Sequence, residues 1–465
     1  MENLSLKRDL GLLNAVSLIA GTMIGSGIFM SPQWVLYHIG SPGASLLIWG
    51  ACGVLAMLGA LCYAELGTVI TESGGDYIYI LRTSGPLLAF LLSFTSMMVV
   101  RPASYAGLAL SFAEYAVAPF YQGCTAPQLI VKIVAAVCIL VLAIVNTLSV
   151  RFSMSIQIFF LVAKVLALLV IVIGGVVILF LGGHSDSFQD AFQDTKVGIN
   201  PVGAAFFQAL WSFEGWNNLN YVTEELKRPE VNLHRALIIA IPMVTVLYLL
   251  VNVSYLAVMT PRELMTSTAV AVTWGNKVLG SWGWLMSVAA AMSAFGSLNG
   301  SYFSGGRMCF VAAREGHLPE ILSMAHVHRL TPSPALIINT AMALLVLIPG
   351  DFNTVISFFS FTVWVFYGII FSSLLYLRIK KPHLHRPYKV PIVFPIIMLI
   401  AAVFLVLSPI VDNPQIEYLY VILFIVSGTF IYIPFVHFKL CPGLLTKATL
   451  FLQLLFEVAP VDKNV

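Results

Sequence analysis

The 465-residue chain predicts an all-α membrane protein of 12 transmembrane helices, built as a 5+5 inverted repeat with helices 1 and 6 broken and two further helices added. Three observations predict this. Hydrophobic residues make up 59% of the chain and charged ones only 10%, against about 25% charged in soluble domains. Apolar stretches of about 20 residues, enough to cross a bilayer, recur along the sequence. Two of those stretches, five spans apart, are interrupted by glycine and polar groups.

In chain order the spans fall at about 12–37, 44–70, 86–117, 129–150, 153–181, 200–222, 235–259, 280–310, 335–349, 353–378, 391–410 and 417–437. This divides the chain into an N-terminal segment 1–11, helices 1–11 over 12–410, helix 12 over 417–437 and a tail 438–465. No short apolar leader with a small-residue cleavage site precedes the first span, so the N-terminus is expected to stay on the chain. An even number of spans puts both termini on one side. With that side cytoplasmic, the inner loops and adjoining span ends collect most of the 24 Lys and Arg, among them Lys7, Arg8, Arg151, Lys227, Arg228, Lys380 and Lys381. Lys132, Lys196, Arg262 and Lys277 fall outside or at outer span ends. The positive-inside rule therefore predicts cytoplasmic termini.

Composition also excludes function classes. A net charge of +3 without a long basic run does not suit a phosphate backbone, so nucleic acid is not an expected partner. Six scattered cysteines without a CxxC pair predict neither a metal site nor a disulfide framework, and no cofactor is implied. An integral-membrane enzyme would need a Ser/His/Asp or Cys/His constellation, and none occurs at an interpretable spacing. His184, His234, His317, His326, His328, His383 and His385 fall in expected loops and read as solvated surface residues.

The first span contains Gly21-Thr-Met-Ile-Gly25-Ser26-Gly27-Ile-Phe29. Each glycine costs a helix about 1 kcal/mol relative to alanine, and irregular backbone is tolerated at membrane depth where it lines a cavity. The segment reads either as an unwound stretch or as a closely packed helix face. The sixth span repeats the signal in Trp211-Ser-Phe-Glu214-Gly215-Trp216-Asn217. Paired interruptions in corresponding positions of two halves point to a transporter of inverted repeats. Half-helix N–H groups would face an anionic substrate group and unwound carbonyls a cation, which suits an α-amino acid.

Charges at membrane depth refine the expectation. Glu214 sits in the second interruption, where it would either bind a substrate ammonium or guanidinium group or pair with Arg101 or Lys164. Lys164, mid-span five, would either replace a sodium ion at the carbonyls of the broken first helix or snorkel to the interface. Arg101, before Pro102, reads as tied to structure, and Glu65 and Glu114 as solvated or interfacial carboxylates at span ends. Trp211 is the best candidate for a substrate gate, with Trp216 and Trp364 more in keeping with packing.

Gly21-Thr-Met-Ile-Gly-Ser-Gly-Ile-Phe29, Gly59-Ala-Leu-Cys-Tyr-Ala-Glu-Leu-Gly67, Gly215-Trp-Asn217, Tyr221-Val-Thr-Glu-Glu225 and Arg314-Glu-Gly-His317 cover nearly the whole chain in order. With these motifs the sequence resembles the light chains of the heteromeric amino-acid transporters, within the amino acid, polyamine and organocation superfamily. The likeness is greatest to the member that exchanges cystine, dibasic and neutral amino acids, and an aromatic-preferring member is a candidate. The resemblance implies a LeuT-like fold, sodium-independent obligatory exchange at the plasma membrane, and a single-span glycoprotein heavy chain as partner. It assigns Ile24, Gly25, Ser26 and Gly27 to the substrate carboxylate, Trp211 to the gate and Lys164 to the place of sodium. It also assigns Cys124 to the interchain disulfide, and the expected topology puts Cys124 in an outer loop, in the oxidising compartment. Glu214 stands where the dibasic-transporting relative has aspartate, and its extra methylene narrows the pocket.

The expected function is a sodium-independent antiporter of neutral, including aromatic, L-amino acids, with cystine and dibasic amino acids as further candidates. Glu214 and Gly215 join the proposed substrate site. A proton-coupled uniporter is the alternative within transporters, and an integral-membrane enzyme is the more distant one.

Overall fold

A computed structural model of the chain describes residues 6–25, 27–121, 127–266, 270–348, 352–411, 414 and 416–461. Its helices, in chain order, are α1 (Leu12–Met23), α2 (Gly27–Ile39), α3 (Pro42–Val69), α4 (Asp76–Ser84), α5 (Pro86–Thr95), α6 (Arg101–Val117), α7 (Gln128–Leu148), α8 (Val150–Phe180), α9 (Ile199–Ser212) and α10 (Pro229–Val258). There follow α11 (Pro261–Thr266), α12 (Val270–Val278), α13 (Trp284–Arg314), α14 (Ser333–Leu347), α15 (Phe352–Lys380), α16 (Val393–Val411), α17 (Ile416–Ser427), α18 (Thr429–Ile431) and α19 (Pro442–Phe456). Proline stands in the first turn of α3, α5, α10, α14 and α19, where its missing N–H costs nothing and its fixed φ favours a start.

Among the described residues, eight helical segments are long and apolar enough to cross a bilayer. One is the continuous rod Pro86–Phe120, in which the turn Ser96–Val100 is π-helical and joins α5 to α6. The other four expected spans differ for physical reasons. The first is split into α1 and α2, and the sixth stops at Ser212 and continues as a 3₁₀ segment, Asn218–Glu225. The eighth, α13, is long, but glycine and serine dilute its apolar content, and α14 has only 15 residues.

Small residues on α13 let neighbouring helices close in on it. A Cβ on Gly306 would lie against Leu336 of α14, and one on Gly296 would sit 2.7 Å from Lys164 Cε of α8. The helix is buried along most of its length and forms the centre of the bundle.

Ion pairs tie the bundle together near the N-terminal end of α1. Glu65 of α3 accepts from Arg378 Nε at 2.6 Å and lies 3.4 Å from Arg386. Its carboxylate is fully buried, which corrects the expectation of a solvated group. Glu225 and Glu224 make two-pronged pairs with Arg307 and Arg314 of α13. The chain ahead of α1 crosses the same surface, with Leu10 N donating to Glu225 O and Lys227 N to Leu10 O. Far along the chain, the strand Met324–His326 pairs antiparallel with Val458–Pro460 and brings the segment after α19 back onto the bundle.

Three of the seven histidines depart from the expected solvated loops, His326 among them, half-buried at the end of its strand. His317 is buried against Tyr77, whose hydroxyl lies 2.7 Å from Nδ1. His234 is part of α10, not of a loop, and stacks on Tyr388 with ring centroids 4.6 Å apart.

Candidate functional site

The first interruption is a real break in the helix: α1 ends at Met23, and α2 restarts at Gly27. The carbonyls released there are met by side chains of surrounding helices. Ser297 Oγ donates to Thr22 O at 2.8 Å, and Ser293 Oγ reaches Ile24 O at 3.0 Å and Gly25 O at 2.9 Å. Lys164 Nζ, fully buried, donates to Gly21 O. Broken backbone at membrane depth is stable only when its polar groups are satisfied in this way.

The second break faces the first. After Ser212 the chain turns through Phe213–Asn217, with Gly215 at φ +111°, a conformation that favours glycine. A Cβ on Gly215 would also lie 2.8 Å from Thr22 Cγ2, so the two breaks touch through glycine. Gly27 repeats this at the start of α2, where a Cβ would come within 2.6 Å of Ser212 Oγ. Tyr248 of α10 stands beside both breaks, with its hydroxyl 2.7 Å from Met23 O and 2.8 Å from Ser212 O.

Between the breaks lies a cavity walled by both of them and by α4, α6, α13 and α15. Its wall carries three charged side chains, Asp76, Arg101 and Glu214. The Arg101 guanidinium lies 4.7 Å above the Tyr221 ring, with Asp76 near enough to attract it. A hydrogen-bonded chain joins the two acids: Asn217 Nδ2 donates to Asp76 Oδ1 at 3.3 Å and to Tyr367 Oη at 3.4 Å, and Tyr367 donates to Glu214 at 3.2–3.3 Å. Ser212 Oγ and Asn218 Nδ2 also line this wall, buried and without a hydrogen-bond partner. Buried polar atoms that the protein leaves unpaired beside a cavity are available to a ligand.

Of the sequence-predicted site residues, Gly25, Gly27, Trp211, Glu214 and Gly215 line the cavity together. Trp211 packs edge-on to Phe359 of α15, with centroids 5.4 Å apart. Ile24 lies apart from the wall, its side chain in the core and its carbonyl taken by Ser293. Lys164 is behind the first break, aimed at the backbone. Ser26 and Cys124 lie outside the described residues. Trp216 and Trp364 pack against Tyr367 from outside the cavity.

Arg101, read from the sequence as tied to structure, is part of the cavity wall, directly after the π-helical turn Ser96–Val100 and over the Tyr221 ring. The sequence reading missed Asp76, Tyr248, Tyr367 and the paired serines Ser293 and Ser297. Asp76 follows Gly74-Gly75 between two spans and there resembles an ordinary loop residue; two glycines before a lone acid at a helix start were the available signal.

Comparison with known proteins gives a consistent result. A family model described as "Amino acid permease" matches residues 10–433. The human b(0,+)-type amino acid transporter 1 is 46% identical over 99% of this chain and 95% of its own length. The human cystine/glutamate transporter is 43% identical, covering 89% of this chain and 82% of that protein. The rat large neutral amino acids transporter small subunit 2 is also 43% identical, over 88% and 77%.

Proposed function

This chain belongs to the amino acid permease family, and on that premise we propose that it exchanges neutral, including aromatic, L-amino acids by alternating access at the cavity between its two broken helices. It is an amino-acid transporter and not an enzyme, as its relatives are. The observation that carries the site is the junction of the two breaks, where the start of α2 and the unpaired Ser212 Oγ and Asn218 Nδ2 face one cavity with Glu214. The free N–H groups at the start of α2 suit the substrate carboxylate. Carbonyls freed at the first break suit the ammonium group, Glu214 faces the substrate side chain, and Trp211 closes over it.

Lys164 takes the place of a sodium ion: its ammonium serves the Gly21 carbonyl with a fixed positive charge, so transport needs no sodium. The reading further holds that twelve spans form a LeuT-like inverted repeat, with the segment 1–11 and the tail 438–465 in the cytoplasm and the protein in the plasma membrane. A single-span glycoprotein heavy chain is the partner, joined through Cys124. The heteromeric light chains that the sequence resembles support that partnership, and so does the expected outer position of Cys124.

The test is trans-stimulated efflux of labelled arginine, cystine and tyrosine from cells that also express a heavy chain, comparing the wild type with Glu214→Ala. Efflux of tyrosine that rises when amino acid is supplied outside supports exchange. Efflux unaffected by external substrate but steeply dependent on pH would favour a proton-coupled uniporter instead.

A further inference from the structure

Two carboxylates and one guanidinium face the substrate cavity. Asp76 comes from α4, Glu214 from the second break and Arg101 from α6; the linings contributed by α1, α2, α13 and α15 add no charged side chain, only the hydroxyl of Tyr367 as a titratable group. Tyr221 completes the set beneath Arg101. Lys164 spends its charge on the Gly21 carbonyl, outside the cavity wall. With both acids ionised, the cavity therefore carries one negative charge in excess.

The two acids are not equivalent. Arg101 attracts both acids, but only Asp76 also shares the Tyr221 hydroxyl with the guanidinium, and it accepts from the Asn217 amide. Glu214 has the Tyr367 hydroxyl, at 3.2–3.3 Å from its two oxygens, and the neighbouring Gly215 N–H. The excess charge thus belongs to Glu214. A zwitterionic amino acid brings no net charge to cancel it, and once substrate and Trp211 close the cavity an uncompensated carboxylate on its wall neutralises by taking up a proton.

Resting on the exchange reading above, we infer that Glu214 is a protonated carboxylic acid whenever the cavity holds an amino acid with an uncharged side chain, and that a cationic amino acid occupies the cavity only with Glu214 ionised. The proton comes from water on the side where the zwitterion loads and returns to water when a cationic substrate displaces it. The occupied cavity then has the same total charge with either class of substrate. The side-chain charge of the substrate and the proton on Glu214 become alternatives, so pH sets which class is accepted.

The experiment uses the full chain with its heavy chain in proteoliposomes and measures labelled tyrosine exchange against internal tyrosine, with equal pH on both sides from 5.5 to 8.5. The expected wild-type rate falls at alkaline pH, approaching tenfold per unit, and Glu214→Gln, which mimics the neutral acid, loses that fall. A second measurement on the wild type alone uses unlabelled arginine as competitor, which should inhibit tyrosine exchange more strongly as pH rises. A flat wild-type profile overturns the inference, as does an alkaline fall that persists in Glu214→Gln. Arginine inhibition that is absent or independent of pH also overturns it. Absence of any trans-stimulated tyrosine exchange by the wild type at every pH is a different result, which would overturn the exchange reading itself.

Discussion

The hydroxyl of Tyr248 lies 2.7 Å from the carbonyl oxygen of Met23, the last residue of α1. The same hydroxyl is 2.8 Å from Ser212 O at the end of α9, so one side chain attends both breaks. It has a single proton to share between two acceptors. That arrangement couples the two broken helices through α10. A movement that favours one acceptor releases the other.

Tyr248→Phe keeps the ring, which packs against Trp49 and Phe213, and removes only the hydroxyl. Met23 O and Ser212 O then lose this donor, and a buried polar group left unsatisfied costs about 1–3 kcal/mol. The variant should melt several degrees lower in detergent and exchange substrate more slowly. A melting temperature and rate equal to wild type would show that the hydroxyl does nothing at the breaks.

Lys164→Met tests the ammonium that serves Gly21 O. Methionine fills similar space without the charge, so loss of packing is limited and loss of the charge is isolated. Exchange should fall at least tenfold on the order of the 1.4 kcal/mol that such a factor represents. The wild type should exchange at the same rate when choline replaces sodium in the medium. Sodium dependence in the wild type would remove Lys164 from this role.

Much of this was legible in the sequence because the membrane restricts the choices. A chain that must bury every backbone polar group announces its breaks, and Gly21–Gly27 and Glu214–Asn217 did so through glycine among apolar residues. Which partner meets each freed carbonyl was not legible. Ser293 and Ser297 stand four residues apart on α13, a pattern shared with any small-residue packing face, and Tyr248 is one aromatic among many. The charge at the end of α3 was misjudged for a related reason. Glu65 is buried where Arg378, distant in sequence, comes to meet it. Single-sequence patterns carry no signal for pairs separated by a fold's long-range contacts.

The Glu225–Arg307 pair, buried on both sides, joins the segment after the second break to α13. Removing one partner leaves the other charge enclosed and alone, at a cost of about 3–5 kcal/mol. Glu225→Gln and Arg307→Met should each destabilise strongly, and the double variant should recover much of the loss. A double-variant cycle on detergent-solubilised protein measures this coupling directly. Additive losses would mean that the two charges are held by their surroundings independently of one another.

His317, past the end of α13, gives stability a dependence on pH. Burial holds its imidazole below the ordinary value of 6.5, and the acid Glu315 opposes this more weakly. The folded protein therefore binds fewer protons at this site than the unfolded chain. The site's contribution is complete well above pH 6.5 and declines as the pH falls through 6.5 toward the lower folded value, because the unfolded chain gains the proton first. The imidazole also meets the Tyr77 hydroxyl at 2.7 Å through Nδ1. The melting temperature should drop between pH 7.5 and 5.5 by more in the wild type than in His317→Gln, which cannot titrate. An equal drop in both would assign the acid sensitivity to other groups.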